Sequence, residues 1–280
     1  MVAASDCDNA GAFGGFDCIH PRFRSCAVYL YAVLTPLMFS LIIPTYNEKK
    51  NVESFIEKVR NVLGNYEHEI IVVDDNSPDG TWQLIEALKE CYPSLRLIRR
   101  ISERGLSSAV LSGFQSAKGD ILGVMDADHS HDVCLLPEMI ELIESRHADC
   151  VIGSRRIEGG GIAKWPWHRR LYSFLATDMT KRFLGITISD PLSGFFCVSR
   201  PVYETSKERL RPLGYKILLE ILVKGNPKQV LERPFIFQDR QHGVSKLLPS
   251  VIFAFFYQVL TLFAYRLGHI HRANSKESQF

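Results

Sequence analysis

Ile70-Ile71-Val72-Val73-Asp74-Asp75-Asn76-Ser77 and, further along, Val124-Met125-Asp126-Ala127-Asp128 share one pattern: a short apolar run that ends abruptly in two carboxylates. Runs of this kind, mostly β-branched and bounded by turn formers, read as strands buried on both faces, as in parallel sheets. Open α/β sheets bind ligands outside the carboxyl ends of their strands. Here that edge carries Asp74, Asp75, Asp126 and Asp128, too many acids to leave unpaired. A divalent cation with a polyphosphate accounts for them best, because hard oxygen ligands suit Mg²⁺ or Mn²⁺. Taken alone, either run also reads as a helix cap, since Asp and Ser are good N-caps and Asp75–Thr81 is full of turn formers. Their pairing at two strand ends favours a nucleotide and metal site.

Outward from these runs the chain alternates strands and helices. Strands are predicted at Phe39–Ile43, Ile70–Val73, Leu95–Ile98, Ile121–Met125 and Cys150–Gly153. Helices are predicted over Lys49–Leu63, Thr81–Cys91, Leu106–Ala117 and Val133–Arg146. This order gives a mostly parallel, doubly wound α/β sheet. The later part is less regular: a loop at Glu158-Gly159-Gly160-Gly161, a helix over Trp167–Phe183 and a turn at Asp190-Pro191-Leu192-Ser193-Gly194.

The 280 residues suffice for one large domain with an appendage. A net charge of +2 exerts no general pull on nucleic acid, so any basic chemistry is local. Seven scattered cysteines with no C-x-x-C pair suit reduced thiols in a cytosolic catalytic domain. Three segments are expected. Residues 1–37 form an extension without a steady period; its apolar stretch Cys26–Leu34 is short for an anchor and soon meets Pro36, so Met38 is the preferred start of the functional chain. Residues 38–246 form the catalytic domain. Residues 247–280 carry an aromatic, almost wholly apolar stretch, Ser250–Ala264, followed by Arg266 and Arg272. That stretch is read as a membrane-associated helix, either in the interface or as a single span.

With these pieces assembled, the sequence resembles glycosyltransferase family 2, in its dolichol- or polyprenol-phosphate mannose synthase branch. The resemblance rests on Ile43-Pro44-Thr45-Tyr46-Asn47-Glu48, Asp74–Thr81, Arg104-Gly105-Leu106 and Asp126-Ala127-Asp128-His129-Ser130-His131. It continues through Gly153-Ser154-Arg155, Trp165 with Arg169 and Ser173, Asp190–Phe195, and Arg240-Gln241-His242-Gly243-Val244-Ser245-Lys246-Leu247. D-A-D alone is weak; the whole set in order, closing on R-x-x-G-x-S-K-L, is strong.

The resemblance implies a single Rossmann-like nucleotide-diphospho-sugar transferase domain of the GT-A type. It implies inverting transfer of mannose from GDP-mannose to dolichyl or polyprenyl phosphate, with Mg²⁺ or Mn²⁺ as cofactor. Pro44, Tyr46, Glu48, Asp75, Asp126, Ala127 and Asp128 would then bind the nucleotide sugar. Asp126 and Asp128 would hold the metal, with Ser130 standing where relatives carry an amide ligand. His129 and His131 are left out of the metal set as loop residues. Arg155, Arg169, Ser173, Arg240 and Lys246 would hold the lipid phosphate beside the leaving diphosphate, a task suited to arginine forks. The implied location is a membrane surface with the catalytic domain on the cytosolic side: endoplasmic reticulum in a eukaryote, plasma membrane in a prokaryote. A small membrane partner subunit fits the same picture. UDP-glucose or another donor with the same chemistry, a non-catalytic nucleotide-binding subunit, and a soluble protein-modifying transferase are the competing readings.

Overall fold

The computed structural model describes residues 37–239 and 249–277. The chain runs through Phe39–Thr45 (β1), Val52–Leu63 (α1), His68–Asp74 (β2), Thr81–Leu88 (α2), Leu95–Arg99 (β3), Leu106–Ser116 (α3), Ile121–Val124 (β4), Leu136–Glu144 (α4) and Cys150–Ser154 (β5). It continues with Gly161–Ile162 (β6), Trp167–Leu184 (α5), Phe196–Ser199 (β7), Arg200–Ser206 (α6), Ile217–Glu220 (α7), Val230–Pro234 (β8), Ile236–Phe237 (β9) and Pro249–Glu277 (α8).

Successive strand side chains point to opposite faces, and here both faces are apolar. Phe39, Leu41, Ile43, Ile70 and Val72 enter one core, while Ile42, Ile71 and Val73 enter the other. Helix α1 closes the first core through Val52, Phe55, Ile56, Val59 and Leu63, one stripe at helical spacing. Glu53 in its first turn and Arg60 in its last complement the helix dipole. Helix α3 closes the second core and lies very near β1: a Cβ on Gly113 would stand 2.6 Å from Ile42 Cγ2. Each fully buried Ile, Leu or Phe in these layers contributes roughly 1.5–3 kcal/mol, which is why two dry faces hold this sheet so firmly.

The large sheet has the order β3-β2-β1-β4-β7-β5-β8. All its pairings are parallel except those of β7, which runs antiparallel between β4 and β5. The mostly parallel sheet is therefore present, with one reversed strand that the sequence pattern did not reveal. The chain leaves β1 toward β2 and returns on its other side as β4, so the topological switch point lies between β1 and β4. Both acid-bearing runs end at this edge. A separate two-stranded sheet pairs β6 with β9.

Helix α8 is apolar on two faces for different reasons. Phe255, Val259 and Leu262 are buried in a third core with Leu184, Leu192 and Leu219. Ile252, Phe253, Phe256, Tyr257 and Leu260 on the same helix are exposed. A single span is not supported: among the described residues no helix is long and apolar enough to cross a membrane. The apolar stretch is too short before Arg266, His269, His271 and Arg272 break it.

Candidate active site

The four acids divide into two pairs with different tasks. Asp74 is fully buried and accepts hydrogen bonds from Thr45 Oγ1 (2.9 Å), Ser77 N (2.8 Å) and Ser77 Oγ (2.6 Å). It shapes the loop after β2. Asp75 pairs with the guanidinium of buried Arg100, whose Nε donates to Oδ1 at 2.7 Å, and accepts from Gly105 N at 2.8 Å. The expectation that all four acids answer to one cation is thus corrected, because protein donors already satisfy Asp74 and Asp75. Near the end of β1, Arg104 lies over the Tyr46 ring at 5.3 Å. Pro44 and Tyr46 are partly exposed at the end of β1. Glu48 Oε2 accepts from Asn51 Nδ2 at 2.7 Å, and its N–H donates to Thr81 Oγ1 at 3.0 Å. Asn47, Asn76 and His129 all have left-handed φ angles (60°, 54° and 61°), so three loops turn sharply at one edge.

Asp126 and Asp128 form the second pair, with buried Ala127 between them. Asp126 keeps 29% of its side chain exposed, whereas Asp128 is buried. Ser130 donates to Asp128 Oδ1 through both Oγ (2.5 Å) and N (3.1 Å), which makes it an anchor for that carboxylate. His131 is buried and stacks on Phe195, with ring centroids 5.3 Å apart. Burial pushes its imidazole down to about 4, against the pull of Asp128. It is therefore neutral, and its Nδ1 accepts from Asp126 N at 3.2 Å. The ring proton belongs on Nε2, 4.0 Å from Asp126 Oδ2, so neither nitrogen offers a lone pair for a metal. Among the described residues no group of three His, Cys, Asp or Glu side chains is placed to hold a metal. Two carboxylates suffice for a Mg²⁺-like ion only where substrate phosphates and water complete its octahedron.

The basic residues lie on the other side of this edge. Arg155 makes a bidentate pair with buried Asp190, Nε to Oδ2 at 2.7 Å and Nη2 to Oδ1 at 2.8 Å. Burial alone would raise the Asp190 carboxyl, but the Arg155 hydrogen bonds and charge hold it below the usual range. Arg169 stacks on Trp165 at 3.8 Å. Ser173, one turn further along α5, accepts from Arg156 Nη2 at 3.0 Å. Arg155, Arg169 and Ser173 all line a cavity of about 830 Å³ between α5 and α8. Arg240 and Lys246 lie outside the described residues.

Three features were not legible in the sequence. Phe237 on β9 touches His131 (5.8 Å), Trp165 (5.6 Å) and Arg155 (5.6 Å), so the small sheet straps the acid loop to the arginines. Gln238 N completes that strap on Ser130 O at 3.1 Å. The third feature is Lys216, half-buried in the cavity wall, where the charges of Arg155, Asp126 and Asp190 act on it. Nothing in Tyr215-Lys216-Ile217 marks it out, since its importance comes from residues distant in sequence.

A family model described as Glycosyl transferase family 2 matches residues 40–206. The chain belongs to glycosyltransferase family 2. It is 43% identical over 235 residues to "Dolichol-phosphate mannosyltransferase" of Pyrococcus furiosus, covering 83% of this chain and 65% of that protein. The chain therefore spans a little under two thirds of the Pyrococcus protein's length. Proteins of the same name from Saccharomyces cerevisiae and Mycosarcoma maydis are 38% and 34% identical, each over 82% of this chain and over 88% and 81% of their own lengths. Among solved structures, Mycobacterium tuberculosis glucosyl-3-phosphoglycerate synthase in complex with Mn²⁺, UDP-glucose and phosphoglyceric acid matches with a TM-score of 0.60 and 19% identity. That match covers 85% of this chain and 82% of the mycobacterial one, a likeness of fold. The Rossmann-like GT-A architecture and the glycosyltransferase class agree with the reading of the sequence.

Proposed function

We propose that the protein transfers mannose from GDP-mannose to the phosphate of dolichyl or polyprenyl phosphate, with inversion at the sugar carbon. The observation that carries this is the cavity between α5 and α8: apolar along Leu175, Met179, Ile252 and Phe255, and cationic at the end where Arg155 and Arg169 stand. A long apolar tail with one anionic head is the ligand that matches such a groove. The names of the Pyrococcus, Saccharomyces and Mycosarcoma relatives support the same substrate pair.

A phosphate monoester has its second pKa at about 6, so near neutral pH the acceptor oxygen is already anionic and no base is needed to remove a proton. That oxygen forms a bond to the mannose C1 while the bond from C1 to the β-phosphate oxygen breaks, and GDP leaves with the electron pair. The residues bring two anions together. Arg169 holds the acceptor phosphate, and Arg155, fixed by Asp190, supplies a rigid guanidinium beside it. Asp126 and Asp128 would hold Mg²⁺ or Mn²⁺, whose chemistry is to offset charge on the leaving diphosphate. Tyr46, Glu48 and Asp75 face the nucleoside.

The exposed apolar residues of α5 (Trp167, Leu171, Phe174) and α8 (Phe253, Tyr257, Leu260) support an in-plane seat on the cytosolic leaflet, which would deliver the lipid to the groove. A small membrane subunit fits the same surface. The test offers radiolabelled GDP-mannose and UDP-glucose in parallel, with polyprenyl phosphate in detergent. Label in the organic phase only from GDP-mannose is expected. Faster transfer from UDP-glucose would replace the donor assignment, and no lipid product from either would overturn the reading.

A further inference from the structure

We infer that Lys216 is a binding residue for the acceptor phosphate, an assignment that rests on the lipid-phosphate reading above. Two neighbouring cations, Arg155 and Arg156, are already engaged by the protein. Arg155 gives its fork and its own N–H to Asp190, so its charge is largely offset by that buried carboxylate. Arg156 spends Nη2 on Ser173 Oγ. Lys216 differs: among the described residues no carboxylate makes an ion pair with it. Its Nζ donates to Leu192 O at 2.7 Å and lies 4.8 Å from the centroid of the Tyr215 ring. An ammonium carries three donors, and among the described residues only Leu192 O takes a hydrogen bond from it.

An ammonium group drawn out of water without a carboxylate is costly, and such groups cluster where a ligand supplies the missing charge. The surroundings define which ligand. Asp126 and Asp190 attract the ammonium and Arg155 repels it, so groups from both the acid loop and the arginine side act on Lys216. It also lines the same cavity as Arg155, Arg169 and Ser173. An anion held in that cavity has Lys216, Arg155 and Arg169 among its walls. Lysine suits this position because its rotatable donors can follow the phosphate as it changes from a monoester to a diester, which a rigid guanidinium fork does less well. The residue is also tied to the lipid-side helix: Gln258 of α8, itself buried, donates from Nε2 to Lys216 O at 3.1 Å.

The test compares the full chain with Lys216→Met, which keeps the apolar stem, and Lys216→Gln, which keeps a donor without charge. Steady-state transfer is read with GDP-mannose and a short prenyl phosphate. Binding of that prenyl phosphate and of the matching prenyl alcohol is read separately from tryptophan fluorescence, Trp165 lying against Arg169. Loss of one charge-assisted contact should raise the acceptor KM and Kd by about tenfold to a hundredfold and leave the GDP-mannose KM within about twofold. The preference for phosphate over alcohol should fall by the same factor. A folded Lys216→Met or Lys216→Gln protein with unchanged phosphate preference, or with a raised donor KM instead, overturns the inference. If Lys216→Met fails to fold, Lys216→Gln decides. If the wild type binds prenyl phosphate through Lys216 yet transfers no mannose to it, the functional reading fails and the Lys216 assignment stands.

Discussion

Replacing Asp190 with Asn keeps the shape of the side chain and removes its charge, which isolates the contribution of its pair with Arg155. Asp190 is fully buried and the Arg155 side chain is 9% exposed. Two guanidinium bonds, at 2.7 and 2.8 Å, and the Arg155 N–H at 3.1 Å all converge on this carboxylate. Removing one partner of a buried pair leaves an uncompensated charge and costs about 3–5 kcal/mol. Asn still offers one carbonyl oxygen to the fork, so the lower end, about 3 kcal/mol, is expected. In a domain of this size each kcal/mol lowers Tm by about 2–4 °C, giving a drop of about 6–12 °C. The pH dependence has a defined sign. The Asp190 carboxyl is held below its ordinary value, so its stabilisation is fully present above the unfolded pKa and is lost as pH falls through the folded one. The wild-type and Asp190→Asn melting curves should therefore lie apart at neutral pH and converge in acid. Calorimetric melts across that range, with Arg155→Met alone and combined, form the assay. The double variant should recover part of the loss, since it leaves no charge buried. A Tm change below about 2 °C at neutral pH, or curves that stay parallel into acid, would refute the reasoning.

Asp128→Asn should nearly abolish transfer while leaving Tm within a few degrees, and excess EDTA should silence the wild type; full activity in EDTA argues against a metal. Arg169→Ala should raise the acceptor KM by about tenfold or more with little change for the donor, and Arg169→Lys should restore only part, because lysine lacks both the fork and the flat surface that stacks on Trp165. Gly113→Ala should destabilise by about 1–3 kcal/mol in urea melts, since its methyl would stand 2.6 Å from Ile42 Cγ2; an unchanged midpoint means that α3 shifts freely. Changing Phe253, Tyr257 and Leu260 to Ser should release the protein from anionic vesicles in a flotation assay without altering its fold, and retention would show that α8 does not seat on lipid.

The strands and helices around the switch point were legible in the sequence because each carries its own local signal. Runs such as Ile70–Val73 are apolar on both faces, and α1 repeats its apolar residues at helical spacing, so the doubly wound sheet followed from period and order alone. The acids were visible for the same reason, each pair ending an apolar run. What each acid does was settled by residues far away in the chain. Asp75 is answered by Arg100, and Asp190 closes on Arg155 across a long stretch of sequence. Antiparallel β7 leaves no mark in the sequence because a short buried strand reads the same in either direction. The short β9 leaves none because two residues show no period, although Phe237 on it joins the two halves of the site. Composition showed that Ser250–Ala264 was apolar, but only tertiary packing decided which face of α8 the core covers and which it leaves bare. Periodicity is a property of neighbours along the chain, whereas charge compensation and close approach depend on distance in space. The sequence therefore determined the scaffold and its acid-bearing edge, and the fold decided which charges remained for a ligand.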